Sequence, residues 1–116
     1  SIITEEKIIM NEEKKFLELE SKIVDVLKTI YDPEIPVSIY EMGLIYEVLV
    51  DEKKVAHIKM TVTAPNCPVA ESLPVEVHDN IKMIEGISDV EVVMTFDPPW
   101  NESMMSDLAR LELGML

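Results

Sequence analysis

Residues 55–96 read as strand, hinge, helix and strand, and this order restricts the fold more than any other feature of the chain. "VAHIKMTVT" (55–63) alternates, with Ile58, Met60 and Val62 on one face and His57, Lys59, Thr61 and Thr63 on the other. From Pro68 to Glu85 the apolar residues Val69, Leu73, Val77, Ile81 and Ile84 return at helical spacing, and Gly86 ends the run. "DVEVVMTF" (89–96) then resumes alternation, placing Val90, Val92, Met94 and Phe96 on one face. Pro74 inside the helical run should kink it or delay its regular part by a turn.

"GLIYEVLV" (43–50) adds a strand before this unit, and "DEKK" joins the two as a hairpin loop. Upstream, Phe16, Leu19, Ile23, Val26, Leu27 and Ile30 form one apolar helical stripe. Asn11 is placed to cap that helix, with Glu12 and Glu13 in its first turn, and "YDPEIP" stops it. After "DPPW", a short helix around residues 103–112 ends at Gly114, too apolar to be a free tail. The order α-β-β-α-β-α predicts an α+β fold, a two-layer α/β sandwich. Its small mixed three-stranded sheet is covered by two helices on one face. Residues 1–11 read as a flexible leader and 12–116 as a single domain.

Of the 116 residues, 47% are hydrophobic but only 5% aromatic, so aliphatic side chains and eight methionines must fill the core. The net charge of −13 argues against the nucleic-acid backbone as partner; it reads first as a solubility feature and is compatible with a basic protein surface. No apolar run reaches membrane-spanning length. A single cysteine forms no internal disulfide, so the expected location is the cytoplasm.

That cysteine, Cys67, sits in the hinge "TVTAPNCPVAESLP" between strand and helix. Pro68 suits a first helical turn, which puts Cys67 at the cap facing unpaired backbone N–H groups, where a thiolate is stabilised. Glu71, one turn on, partly opposes this. On spacing alone, a small residue filling a tight turn competes with a reactive thiol. A thiol enzyme needs an adjacent base. His78 lies eleven residues further on, roughly 16 Å of helical rise at ~1.5 Å per residue. His57 stands about 20 Å back along its strand at ~3.3 Å per residue. Neither is placed to activate Cys67, and one cysteine with two scattered histidines makes no zinc motif. In "DPEIP", Asp32 and Glu34 read locally as a turn. In "TFDPPW", the prolines end a strand, Asp97 is a candidate turn cap, and Trp100 covers either the core edge or a partner.

Together, "DPEIPVSIYEMGLIYEV", "MTVTAPNCPVAESLP", "GISDVEVVMTFDPPW" and "MMSDLARLELGML" resemble the SufT-like and PaaD-like members of the metal–sulfur (iron–sulfur) cluster assembly factor family, which has a MIP-eighteen-type domain. The resemblance covers residues 23–116. It implies an accessory role in iron–sulfur cluster assembly or delivery to client apoproteins, associated with the SUF system, and no enzymatic activity. It also implies a functional cluster made of Asp32 and Glu34 from the acidic turn, Gly43 at the first strand, and Thr63, Pro65 and Cys67 from the hinge, gathered on one surface.

Clusters generally take about four cysteine ligands, and one chain offers one. No stably bound cofactor is therefore expected. Cys67 would act as a transient iron or cluster ligand, share a cluster across a homodimer, or order the assembly machinery without touching metal. The partners implied are that machinery and client apoproteins, with no nucleic acid and no membrane. Two other classes stand against this reading: an interaction module in which Cys67 is structural, and a thiol-dependent enzyme.

Overall fold

The computed structural model describes residues 2–31, 35–63 and 69–115, with side chains described for 13–31, 35–63 and 72–115. Helix α1 (Ile2–Leu27) is followed by strands β1 (Ile45–Val50) and β2 (Val55–Met60), helix α2 (Val69–Lys82) and strand β3 (Asp89–Met94). A 3-10 turn (Glu102–Met104) and a short helix α3 (Asp107–Glu112) complete the chain. The sheet order is β1-β2-β3. β1 and β2 pair antiparallel, and β2 and β3 pair parallel across the α2 crossover. This is the α+β arrangement with a mixed sheet that the periodicities predict.

α1 starts earlier than the expected cap at Asn11: residues 2–11 contain neither Gly nor Pro and include the helix-favouring Glu5, Glu6, Lys7 and Met10. Its stripe is as predicted: Leu19, Ile23, Leu27 and Ile30 are buried, with Phe16 and Val26 packed against them. From α2, Leu73, Val77 and Ile81 join this core, and Ile58, Met60, Val62 and Val90 meet them from the sheet. Val92 is half-buried against the same cluster. Each of these side chains contributes on the order of 1.5–3 kcal/mol by leaving water. α2 runs through Pro74, its sixth residue, past the first turn, so the ring removes the i→i−4 hydrogen bond that position 74 would give to the carbonyl of residue 70.

The hairpin loop is built around Asp51. Its carboxylate accepts from the N–H groups of Lys53 and Val55, its carbonyl accepts from the Lys54 N–H, and its own N–H donates to the Val55 carbonyl. Lys54 takes the left-handed conformation that a three-residue loop of this kind requires.

All three strands are shorter at the hinge end than their patterns suggest. β2 stops at Met60, and Thr61, expected beside His57 and Lys59 on the open face, is instead fully buried. Its N–H donates to the Leu44 carbonyl, at the sheet end where the C-terminal segment lies against Gly43. β3 stops at Met94, and Phe96, expected on the inner face, is 46% exposed. The Thr95–Asp97 turn breaks the alternation: the Asp97 N–H donates to the Thr95 hydroxyl oxygen, so Thr95 supplies the side-chain bond expected of Asp97.

The C-terminal segment docks on its own domain through buried Met105 and Ala109 and half-buried Leu113, while Leu108 and Leu111 face solvent. Ser106 caps α3 by accepting from the Ala109 N–H.

Candidate functional site at one end of the sheet

The start of the hinge (residues 61–63), the first strand's glycine and the chain leaving β3 all lie at one end of the sheet. β1 runs antiparallel to β2, so its start stands beside the end of β2, where the Thr61 N–H donates 2.8 Å to the Leu44 carbonyl. β3 runs parallel to β2, so its end is there as well, with the Thr95 N–H donating 2.9 Å to the Met60 carbonyl. The carboxyl ends of parallel strands are a common location for sites in open α/β sheets.

Two of the six candidate residues can be placed. Gly43 precedes β1 and Thr63 follows β2, so both belong to this end, and the Thr63 side chain is exposed. Asp32, Glu34, Pro65 and Cys67 lie outside the described residues. Their chain neighbours are placed. The loop holding 32–34 is tied at its base by the Tyr31–Ser38 bridge and by the Ile39 N–H on the Ile30 carbonyl, 2.8 Å. The segment holding Pro65 and Cys67 leads from Thr63 into the start of α2.

Gly43 has φ +80°, the left-handed region that a side chain disfavours. The backbone of Met104 fills the space a side chain would need: a Cβ on Gly43 would stand 2.7 Å from the Met104 carbonyl carbon. The turn before Gly43 is held from both sides. Its own bonds run from the Met42 N–H to the Ser38 carbonyl, from the Gly43 N–H to the Tyr40 carbonyl, and from the Glu41 N–H to the Ser38 hydroxyl. The C-terminal segment adds the Trp100 indole N–H on the Met42 carbonyl, 2.7 Å, and the Ser106 N–H on the Glu41 carbonyl, 2.9 Å. The Tyr46 hydroxyl donates to the Pro98 carbonyl, 2.7 Å, and touches the Met104 sulfur at 3.5 Å. A hollow of about 530 Å³ opens here, lined by Gly43, Tyr46, Glu47, Lys59, Asp97 and Met104 among others.

Sequence reasoning missed this bracing set of Tyr46, Trp100, Met104 and Ser106. A signal existed for Ser106, because a serine followed by aspartate opens the terminal helix. For Trp100 the sequence left core edge and partner open; its half-buried indole packs on the core and its N–H reaches Met42.

Neither histidine leads to this end. His57 faces the open side of the sheet with Nε2 2.8 Å from Asp51 and Nδ1 3.4 Å from Glu91. The hydrogen bond to Asp51 raises its pKa above the ordinary imidazole value, with the Glu91 charge adding to this against some loss of hydration. The same bond lowers the Asp51 pKa, helped by the Val55 N–H. His78 pairs on α2 with its neighbour Asp79 at 3.0 Å. Asp89 is also lowered, chiefly by the Val90 N–H and then by Lys82, 3.0 Å away. Among the described residues no group of three or more His, Cys, Asp or Glu side chains is placed to hold a metal ion. No helix among them is long and apolar enough to cross a membrane.

The profile of the family described as iron–sulfur cluster assembly protein matches residues 20–94. The chain is 47% identical over 107 residues to the Fe-S protein maturation auxiliary factor of Porphyromonas gingivalis, covering 92% of this chain and 100% of that protein. It is 36% identical over 86 residues to the Fe-S protein maturation auxiliary factor SufT of Staphylococcus aureus, covering 74% and 98%. Among solved structures, a domain of unknown function from Bacillus anthracis superposes with a TM-score of 0.82 at 31% identity, covering 90% and 99%.

Proposed function

Because the chain belongs to the iron–sulfur cluster assembly protein family, we propose that it is an accessory factor that helps assemble iron–sulfur clusters or deliver them to client apoproteins. The observation that carries this reading is the 47% identity, over the full length of the relative, to a protein named as an Fe-S protein maturation auxiliary factor. The cluster is cargo here, and the chain acts on it in the cytoplasm, where its single thiol stays reduced.

In this reading Cys67 is the working group. A thiolate at the start of α2 gains from the helix's unpaired N–H groups. Thr63, at the start of the hinge, would donate a hydrogen bond to the sulfur, and Pro65 would stiffen the approach. Asp32 and Glu34 repel a thiolate unless a cation or a partner's basic group lies between them, so the site is complete only when cargo or partner is present. One thiol falls short of the ~4 ligands a cluster takes, and carboxylate oxygens match a sulfur-rich cluster poorly. The remaining ligands therefore come from the client, from the assembly machinery or from a second copy. Gly43, packed against Met104, ends a turn that Trp100 holds at the Met42 carbonyl, at the same end of the sheet as Thr63. An enzymatic role has little support, since both histidines are engaged elsewhere, with Asp51 and Asp79.

The test pairs two measurements on Cys67→Ser: the activity of iron–sulfur client enzymes in cells, and cysteine labelling of the native wild-type chain. The expected result is a thiol that labels in the native state and a folded variant with impaired client activity. A thiol that labels only after denaturation, together with normal client activity in the variant, returns Cys67 to a structural role. A pull-down of partners with wild type and Cys67→Ser then separates loss of contact from loss of chemistry.

A further inference from the structure

We propose that the outer edge of β1, together with the flank of α1 beside it, is a docking groove for an extended, basic segment of a partner protein, which adds as a fourth strand. The sheet order leaves β1 as an edge. The Asp51 N–H bond to the Val55 carbonyl sets the phase of the ladder. Leu49 and Glu47 therefore bond toward β2, and the N–H and C=O groups of Val48 and Val50 point away from it. A register irregularity between Ile45 and Glu47 confines regular pairing to Glu47–Val50. Backbone groups presented in this way are a template for another strand.

The edge is not bare. α1 lies alongside it and turns a second stripe toward it, Leu17, Ser21 and Val24, separate from the core stripe of Leu19, Ile23 and Leu27. Between this stripe and Ile45 and Val48 runs a groove of about 420 Å³. Leu17 remains 65% exposed on its wall. An added strand would set its inward side chains on this apolar wall and its backbone on Val48 and Val50, the two halves of recognition by strand addition.

Charge selects the occupant. Among the described residues the charged side chains lining the groove are Glu20 and Glu47; Glu47 already has the Lys59 ammonium 3.6 Å away, so Glu20 and the overall charge of the chain carry the selection. The nearby Lys28 ammonium lies over the Tyr40 ring, 5.3 Å from its centre. The chain as a whole carries −13. A second copy would bring the same carboxylates and the same excess negative charge to the edge, whereas a basic segment meets complementary charge. The inference does not depend on Cys67, and its readouts are separate from client-enzyme activity, so either reading can fail while the other stands.

The probe is a short blocked peptide of alternating lysine and valine with a fluorescent label. Expected results are saturable binding and slowed hydrogen exchange at the Val48 and Val50 amides. A peptide N-methylated on the amides that would pair keeps its charge and should bind at least about tenfold more weakly, given roughly 0.5–1.5 kcal/mol for each hydrogen bond lost. Val48→Pro should weaken binding similarly, because the N–H it removes faces outward and the β1–β2 ladder stays intact. The peptide series on the wild-type chain decides the matter should that variant misfold. Absent binding, equal binding of the N-methylated peptide or of an alternating glutamate–valine peptide, or unchanged exchange at Val48 and Val50 would each overturn the proposal. So would a concentration-dependent dimer that protects those amides without peptide.

Discussion

Gly43 and Met104 meet backbone to backbone: a Cβ on Gly43 would lie 2.7 Å from the Met104 carbonyl carbon and 2.9 Å from its Cβ, at a φ of +80°. The neighbour is main chain held by its own bonds, with the Met104 N–H on the Asn101 carbonyl and the Met105 N–H on the Glu102 carbonyl. It has little freedom to withdraw. Gly43→Ala should therefore destabilise the domain by at least about 2 kcal/mol, combining left-handed strain with overpacking. Denaturant unfolding measures it. A loss below ~0.5 kcal/mol would show that the C-terminal segment yields freely.

Trp100 is the second brace on this turn. Trp100→Phe keeps most of the packing and removes the donor to the Met42 carbonyl. The expected cost is about 1–2 kcal/mol, for a carbonyl left short of its partner. Hydrogen exchange should speed up at the Met42 and Gly43 amides more than in α2. Uniform acceleration across the domain would count against a local bracing role.

The core and the tail should respond differently to the same truncation. Ile58, at the centre of β2, is 1% exposed, and Ile58→Ala should cost about 2–5 kcal/mol through lost transfer energy and an unfilled cavity. Leu111, outward on α3, should cost under ~0.5 kcal/mol when changed to Ala. Similar losses at both positions would mean that Leu111 is covered in solution, by another copy or another part of the chain.

The hairpin should carry a small pH signature. The His57 pKa is raised by Asp51 and Glu91, so its contribution to stability is complete below the ordinary imidazole value of about 6.5 and is lost as pH rises through the raised value. Asp51 is lowered by His57 and by the Val55 N–H, so its contribution is present above the ordinary value near 3.9 and is lost as pH falls through the lowered one. The thermal midpoint should therefore fall on the alkaline side as His57 loses its proton. His57→Gln should flatten that limb. The effect should be modest and salt-sensitive, because all three side chains are partly solvated. An unchanged alkaline limb in His57→Gln would assign the slope to other groups.

The periodicities of the sequence determined which segments are helix and strand, and which stripe of each turns inward. Side-chain period is a local property, and one buried face per element leaves one workable two-layer packing. Ile23, Leu27, Leu73, Val77, Ile58 and Val90 are core by that logic alone. Alternation also predicted an exposed Thr61 and an inward Phe96, and both failed because the strands stop short of them and their surroundings belong to other parts of the chain. Of the candidate site, the motifs were legible as residue types in order, while the gathering of Gly43, Thr63 and the end of β3 depends on strand direction, antiparallel for β1 and parallel for β3. The bracing of Gly43 by Met104, and of Met42 by Trp100 at a separation of 58 residues, was decided only in the tertiary structure. Contacts at that range depend on where two chain segments cross, and local pattern carries no information about crossing.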